Sequence, residues 1–235
     1  MSRRNCARKL TAPASILMCI IIILLSFYQL YGQEYEGPVI VNSKFKYFTR
    51  DPLTNDTKPY LWESAYFKGP NDDVFIRQDI VEGYECLGMH VSQDGANDTY
   101  DWATIHVKQR IRGRSLDRIL VGRVGVWAYP TFTYEFDERT KEPENVFGIE
   151  INDGENILWF VFSDSENQSY KLRNHEIVII YTPLNEWSYR ELDIAQQYKD
   201  AGWRLPKDIS FILITGDTRI HPGNFSSYFR EIIVE

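Results

Sequence analysis

From about Tyr60 to the C-terminus, apolar side chains recur with period two. Across Trp102–Ile111, the residues Ala103, Ile105, Val107 and Ile111 share one parity, while Thr104, His106, Lys108 and Arg110 share the other. Successive side chains of a strand point to opposite faces, so this stretch reads as a half-buried strand with one wet face. Leu87, Met89 and Val91 alternate with Gly88, His90 and Ser92 in the same way. Further strands are expected at Ile119–Tyr129, Val146–Ile151, Ile157–Phe162, Ile177–Tyr181, Ile209–Thr215 and Tyr228–Val234. Turn chemistry separates them. Gly113 follows the first stretch, Asp153 and Gly154 join two strands as a tight hairpin, and Pro183, Asn185 and Gly216 close others. One helix is expected at Glu191–Ala201, with Gly202 as its stop and Leu192, Ala195 and Tyr198 as its apolar positions. The expected fold is all-β: a two-sheet antiparallel sandwich with one short surface helix, spanning residues 60–235.

What precedes the sandwich is of another kind. Residues 1–14 hold Arg3, Arg4, Arg8 and Lys9, and the apolar run from Ile16 continues with small interruptions to Tyr31. Basic flank then apolar run is the pattern of a signal anchor or a signal peptide. The nearest processing site, ending at Gly32, has bulky Leu30 at its outer position, which favours an uncleaved anchor. Residues 15–32 are therefore read as a transmembrane anchor at the plasma membrane, with the C-terminal part outside. A cleaved signal and a secreted product are the alternative. Residues 33–59, punctuated by Pro38, Pro52 and Pro59, read as a tether and edge segment. The first 32 residues carry +4, which leaves −11 on the other 203 of the 235, and that acidity argues against a nucleic-acid partner.

Cys6 and Cys19 belong to the targeting segment, so Cys86 stands alone in the exported part. Neither an intradomain disulfide nor a cysteine zinc site is available there, and apolar neighbours make Cys86 a buried, inert thiol. Four N-x-S/T sequons, at Asn55, Asn97, Asn167 and Asn224, lie in polar, turn-rich stretches, as glycan acceptors should.

Three stretches carry a resemblance: the Trp102–Ile111 strand leading through Gly113 to Val124–Trp127, the hairpin Phe147–Ile151 to Leu158–Phe160, and the terminal strand Tyr228–Val234. Over residues 60–235 the pattern resembles the jelly-roll sandwiches of carbohydrate-binding modules and of concanavalin-like or galactose-binding-like domains. The resemblance implies a terminal strand that closes the domain near a structural calcium. This chain has Arg230 and Glu231 where such modules place aspartate. Folds of this kind host lectins, hydrolases, lyases and scaffolds alike, so function must come from the site.

Two constellations stand out. Lys108 and Arg110 share a wet strand face, and if Ile119–Tyr129 lies beside it, Arg123 joins them as an anion-attracting surface. Trp127 and Tyr129, two apart, share a face with Arg123, and Trp187 and Trp203 lie near loops. Flat aromatic faces stack on the C–H faces of sugars. The expected ligand set is therefore Lys108, Arg110 and Arg123 for an anionic glycan, with Trp127, Tyr129 and Trp187 as stacking platforms. Catalysis has thinner support. Glu150 faces away from the core, and glycoside hydrolysis asks for a second carboxylate about 5–9.5 Å from it. Metal, phosphate-loop, nucleophile-elbow and dinucleotide signatures are all lacking, so no cofactor is expected. The reading is an exported carbohydrate-binding or surface-interaction module. The alternatives are a jelly-roll hydrolase or lyase using Glu150, and a purely structural envelope protein.

Overall fold

The computed structural model describes residues 38–51, 55–68, 72–93, 103–133, 135–137, 142–217 and 223–235. The apolar segment 15–32, Asn97 and Trp102 lie outside them. Among the described residues no helix is long and apolar enough to cross a membrane. Residues 38–235 form one compact unit.

Its strands in chain order are β1 (Phe48–Arg50), β2 (Thr57–Pro59), β3 (Glu63–Phe67), β4 (Asp73–Val81), β5 (Tyr84–Gln93), β6 (Ala103–Arg112), β7 (Val124–Pro130), β8 (Glu135–Asp137), β9 (Glu142–Asn152), β10 (Ile157–Ser163), β11 (Gln168–Leu172), β12 (His175–Tyr181), β13 (Ser188–Leu192), β14 (Asp208–Asp217) and β15 (Gly223–Val234). The larger sheet runs β11-β12-β10-β9-β14-β6-β3, with β8 also on β9. The smaller runs β13-β7-β15-β5-β4, and β1 and β2 pair separately.

Period two builds the core. Ile105 and Val107 of β6, Ile149 of β9 and Leu213 of β14 are fully buried on the inner face of the larger sheet. Leu87 and Met89 of β5, Val126 of β7 and Phe229 of β15 meet them from the smaller sheet. The Phe147 and Phe229 ring centroids lie 4.7 Å apart across this interior. Each such side chain stabilises the fold by about 1.5–3 kcal/mol relative to exposure.

The structure corrects four expectations. The sandwich is not wholly antiparallel, because β10 and β12 pair in parallel from Ile157 opposite His175 to Ser163 opposite Tyr181. Residues 164–174 make the crossover and donate β11, which pairs back on β12 through a turn at Arg173 with φ +55°. Second, there are two short helices among the described residues. Helix α1 (Arg114–Val121) occupies the start of the strand expected at Ile119–Tyr129, which begins instead at Val124. Leu116 and Ile119 recur at helical spacing and are buried, so a three-residue period had been hidden at the head of a β-like run.

Third, the expected helix at Glu191–Ala201 is shorter. Helix α2 (Ile194–Asp200) starts after Leu192 has ended β13, and the Asp193 carboxylate caps it by accepting from Gln196 N at 2.8 Å. Its buried positions are Ile194 and Tyr198, four apart. Fourth, the segment from residue 38 is more than a tether and edge. Ile40 and Phe45 are core residues, and the Gln109 side chain holds Val41 at both backbone groups, at 2.8 and 3.0 Å. Isolated apolar residues among prolines gave no period from which this docking was legible.

Candidate functional site

The outer face of the smaller sheet is aromatic. Trp127 and Tyr129 alternate with core residues Val126 and Ala128 on β7, and both turn outward. Register sets Tyr189 of β13 beside Trp127, Tyr228 of β15 beside Tyr129, and Phe75 of β4 beside His90 of β5. Trp187 enters from the turn before β13, its indole N–H donating to Val81 O at 3.2 Å. Successive ring centroids are 4.8 Å apart for Phe75–His90, 5.7 Å for His90–Tyr228, 5.8 Å for Tyr228–Tyr129, 5.3 Å for Tyr129–Trp187 and 6.3 Å for Trp187–Tyr84. Trp127 and Tyr189 meet at 5.5 Å. Most of these contacts are edge-to-face or tilted, the arrangement ring quadrupoles favour.

Two local features make this face. A β-bulge between Phe229 and Glu231 inserts Arg230 as an extra residue, and bulges re-aim side chains. Its guanidinium lies 4.1 Å from the Trp127 centroid, 4.4 Å from Tyr84 and 5.7 Å from Trp187. Close approach to the backbone supplies the second. A Cβ on Gly125 would strike the Tyr189 ring, and one on Gly88 would strike the Asp79 carboxylate and the His90 ring. Partial burial raises the phenol pKa of Tyr129, Tyr189 and Tyr228 above the ordinary 10, so these hydroxyls stay neutral.

A hydrogen-bonded line runs beneath the rings. Asp79 Oδ2 lies 2.6 Å from His90 Nε2, and His90 Nδ1 lies 2.9 Å from Ser226 Oγ. Burial pushes the His90 pKa below 6.5 despite Asp79. With a neutral ring, Nε2–H donates to Asp79 and the Ser226 hydroxyl donates to Nδ1. Nucleophile, base and carboxylate are in sequence here, yet Phe75 stacks flat on the imidazole at 18°, and His90 is only 8% exposed.

The expected cations are placed differently. Lys108 and Arg110 do face outward, but on the larger sheet, where β6 neighbours β3 and β14 rather than β7. Lys108 pairs with Glu63 at 3.2 Å. Arg110 grips Asp208 through Nε and Nη2 at 2.6–3.0 Å. Arg123, before β7 in the smaller sheet, pairs with Glu191 at 2.6 Å. These hydrogen bonds raise the pKa of both arginines, and Arg110 lowers that of Asp208. The expected cluster of three cations with the aromatic platform is therefore divided between opposite sheets. Lys108 and Arg110 line a polar groove of about 330 Å³ with Glu63, Asn152, Asp153 and Ser210.

Glu150 lies farther along that outer face and is 6% exposed. It accepts from Trp159 Nε1 at 2.8 Å and from Asn152 Nδ2 at 3.1 Å. His106, expected on a wet face, has its pKa lowered by burial, with Glu150 opposing. In the register row of Glu150 the described carboxylate is Glu63, three strands away, about 14 Å at normal strand spacing. Among the described residues no cluster suits a metal ion.

Trp203, placed near a loop by the sequence, is half-buried against Tyr198 at 5.5 Å. Cys86 is fully buried, and burial pushes its pKa up to about 12. The sequence reading missed Phe75, Tyr84, Tyr189, Tyr228 and Arg230. Tyr228 and Arg230 flank core residue Phe229, and that alternation was the available signal.

No protein-family model and no curated protein matches the chain. Solved structures to which it is similar are β-sandwich carbohydrate-binding modules and related glycosidase domains. One is a carbohydrate-binding module of the β-sandwich superfamily (13% identity, TM-score 0.36), over 73% of this chain and 56% of that one, so the chain spans little more than half its length. A second is the xyloglucanase domain of NopAA from Sinorhizobium fredii (10% identity, TM-score 0.39, 73% and 96% covered). A third is the family 11 carbohydrate-binding module of Clostridium thermocellum (8% identity, TM-score 0.38, 79% and 92% covered).

Proposed function

We propose that this chain is an exported, membrane-tethered carbohydrate-binding module whose site is the aromatic outer face of the smaller sheet. The observation that carries the reading is the row of rings through Tyr129 and Trp187, with the Trp127–Tyr189 pair joined to it through Arg230, on the side of the sheet away from the core. A sandwich needs its aromatic side chains inside. Rings outside, where water is the alternative neighbour, are the feature a sugar-stacking surface requires, since pyranose C–H faces pack on them while tyrosine hydroxyls reach the sugar oxygens. Lys108 and Arg110 remain candidates for a secondary polar contact in their own groove, and Arg123 for a contact at the edge of the smaller sheet.

The tether rests on the sequence of residues 15–32, and glycosylation on the sequons. Asn55, Asn167 and Asn224 are exposed, as acceptors must be. Against the hydrolase alternative, Glu150 is 6% exposed and is held by hydrogen bonds from Trp159 and Asn152.

A glycan array probed with the full-length protein tests the reading. Bound oligosaccharide is expected to be lost in the double variant Trp127→Ala, Tyr129→Ala and kept in Lys199→Gln, on the exposed side of α2. An unchanged array for the double variant, or an empty one for the wild type, rejects it.

A further inference from the structure

Arg230 differs from the three cations singled out in the sequence. Lys108, Arg110 and Arg123 each hold a carboxylate. Among the described residues no carboxylate pairs with Arg230 and no acceptor takes a hydrogen bond from it. Its neighbours are instead the rings of Tyr84, Trp127 and Trp187. Rings attract the cation through their faces and leave its N–H edges unspent, and a guanidinium so flanked is also poorly hydrated. The nearest chemistry able to use those edges is a planar carboxylate, which accepts two parallel N–H bonds. Glu231, next in sequence, is drawn off by Lys44 at 2.9 Å and does not compete. The bulge that places Arg230 thus sets one unneutralised fork within a surface of sugar-stacking rings.

We infer that the aromatic face selects acidic sugars: a pyranose stacks on the rings around Trp127 while its carboxylate docks on Arg230. This rests on the carbohydrate-binding reading above and names its ligand class. Uronates and sialates share the chemistry.

The test is calorimetric titration of the full-length protein with tetragalacturonate, its methyl ester, sialyllactose and neutral cellotetraose. At least one acid glycan is expected to bind more tightly than the ester and cellotetraose, and whichever acid binds identifies the source. Arg230→Gln is expected to weaken that acid about 10–100-fold, the worth of a charge-assisted pair, and to leave cellotetraose unchanged. Arg230→Lys, which keeps charge but not the fork, is expected to fall between. The ester needs no variant, so the comparison survives even if Arg230→Gln folds poorly. Equal affinity for acid and ester, or an Arg230→Gln protein with wild-type melting and undiminished acid binding, overturns the inference. In that case neutral binding lost in Trp127→Ala would still uphold the platform. No binding by any glycan removes both.

Discussion

At the scale of single residues, local environment decided reactivity more than residue type did. Cys86 was legible as inert because Leu87 and Met89 stand beside it, and the structure gives the cause: full burial, with its thiol facing Asp79 O at 3.5 Å. Iodoacetamide at pH 8 is expected to leave the native protein's Cys86 unmodified and to alkylate it fully in denaturant. His90 and His106 were both read as wet, yet each is covered, and burial lowers each pKa below 6.5. A histidine with a depressed folded pKa binds fewer protons than in the unfolded chain, so stability is full above pH 6.5 and declines as pH falls from there toward the folded values. Thermal melting from pH 8 to pH 5 is expected to show that decline, and His90→Gln to flatten it. A melting temperature independent of pH in this window contradicts the assignment. The acid partners of the three cations were not legible, because a sequence shows which charges share a strand face but not which acids the neighbouring strands bring opposite them. Glu63, Asp208 and Glu191 are distant in sequence and adjacent only through the ladder.

At the scale of elements, strands with apolar runs or clear alternation such as Ile157–Phe162 were readable, whereas β4 and the short, mostly polar β3, β11 and β13 were not. The β9–β10 hairpin was expected from Asp153 and Gly154. It forms with the Asp153 carboxylate accepting from Glu155 N at 2.8 Å and Asn156 N at 2.6 Å. Burial alone would raise the Asp153 pKa, and these backbone hydrogen bonds reverse it to a net depression. Asp153→Ala is expected to cost about 1–2 kcal/mol in denaturant unfolding, for lost turn hydrogen bonds worth roughly 0.5–1.5 kcal/mol each. β15 shows the limit of pattern reading. Its core residues Phe229 and Ile232 are three apart because a bulge lies between them, and strict alternation misassigns every position beyond Arg230. The parallel β10–β12 pair was equally invisible, since apolar runs such as Ile177–Tyr181 record burial and not strand direction. Gly125 gives a test at this scale. Gly125→Ala forces the Tyr189 ring off the backbone, and glycan affinity is expected to fall while the fold persists. Unaltered affinity would place Tyr189 outside the site.

For the whole molecule, two sheets pack their inner faces together and present chemically different outer faces. The larger sheet carries paired charges, a polar groove and the buried Glu150. The smaller carries rings and the Arg230 guanidinium, which pairs with no carboxylate among the described residues. The interior is a single aromatic-aliphatic core, so Phe229→Ala is expected to cost about 3–5 kcal/mol and to lower the unfolding midpoint accordingly. The sandwich class followed from period two. The division of chemistry between its faces did not, because it depends on which strands lie side by side. NMR of the indole N–H signals during glycan titration tests the central claim most directly. The aromatic-face account predicts that Trp127 and Trp187 shift in proportion to bound sugar while Trp62, fully buried, and Trp159, on the larger sheet, stay still. Shifts confined to Trp159 and Trp203 would move the site to the other side of the sandwich and contradict the account.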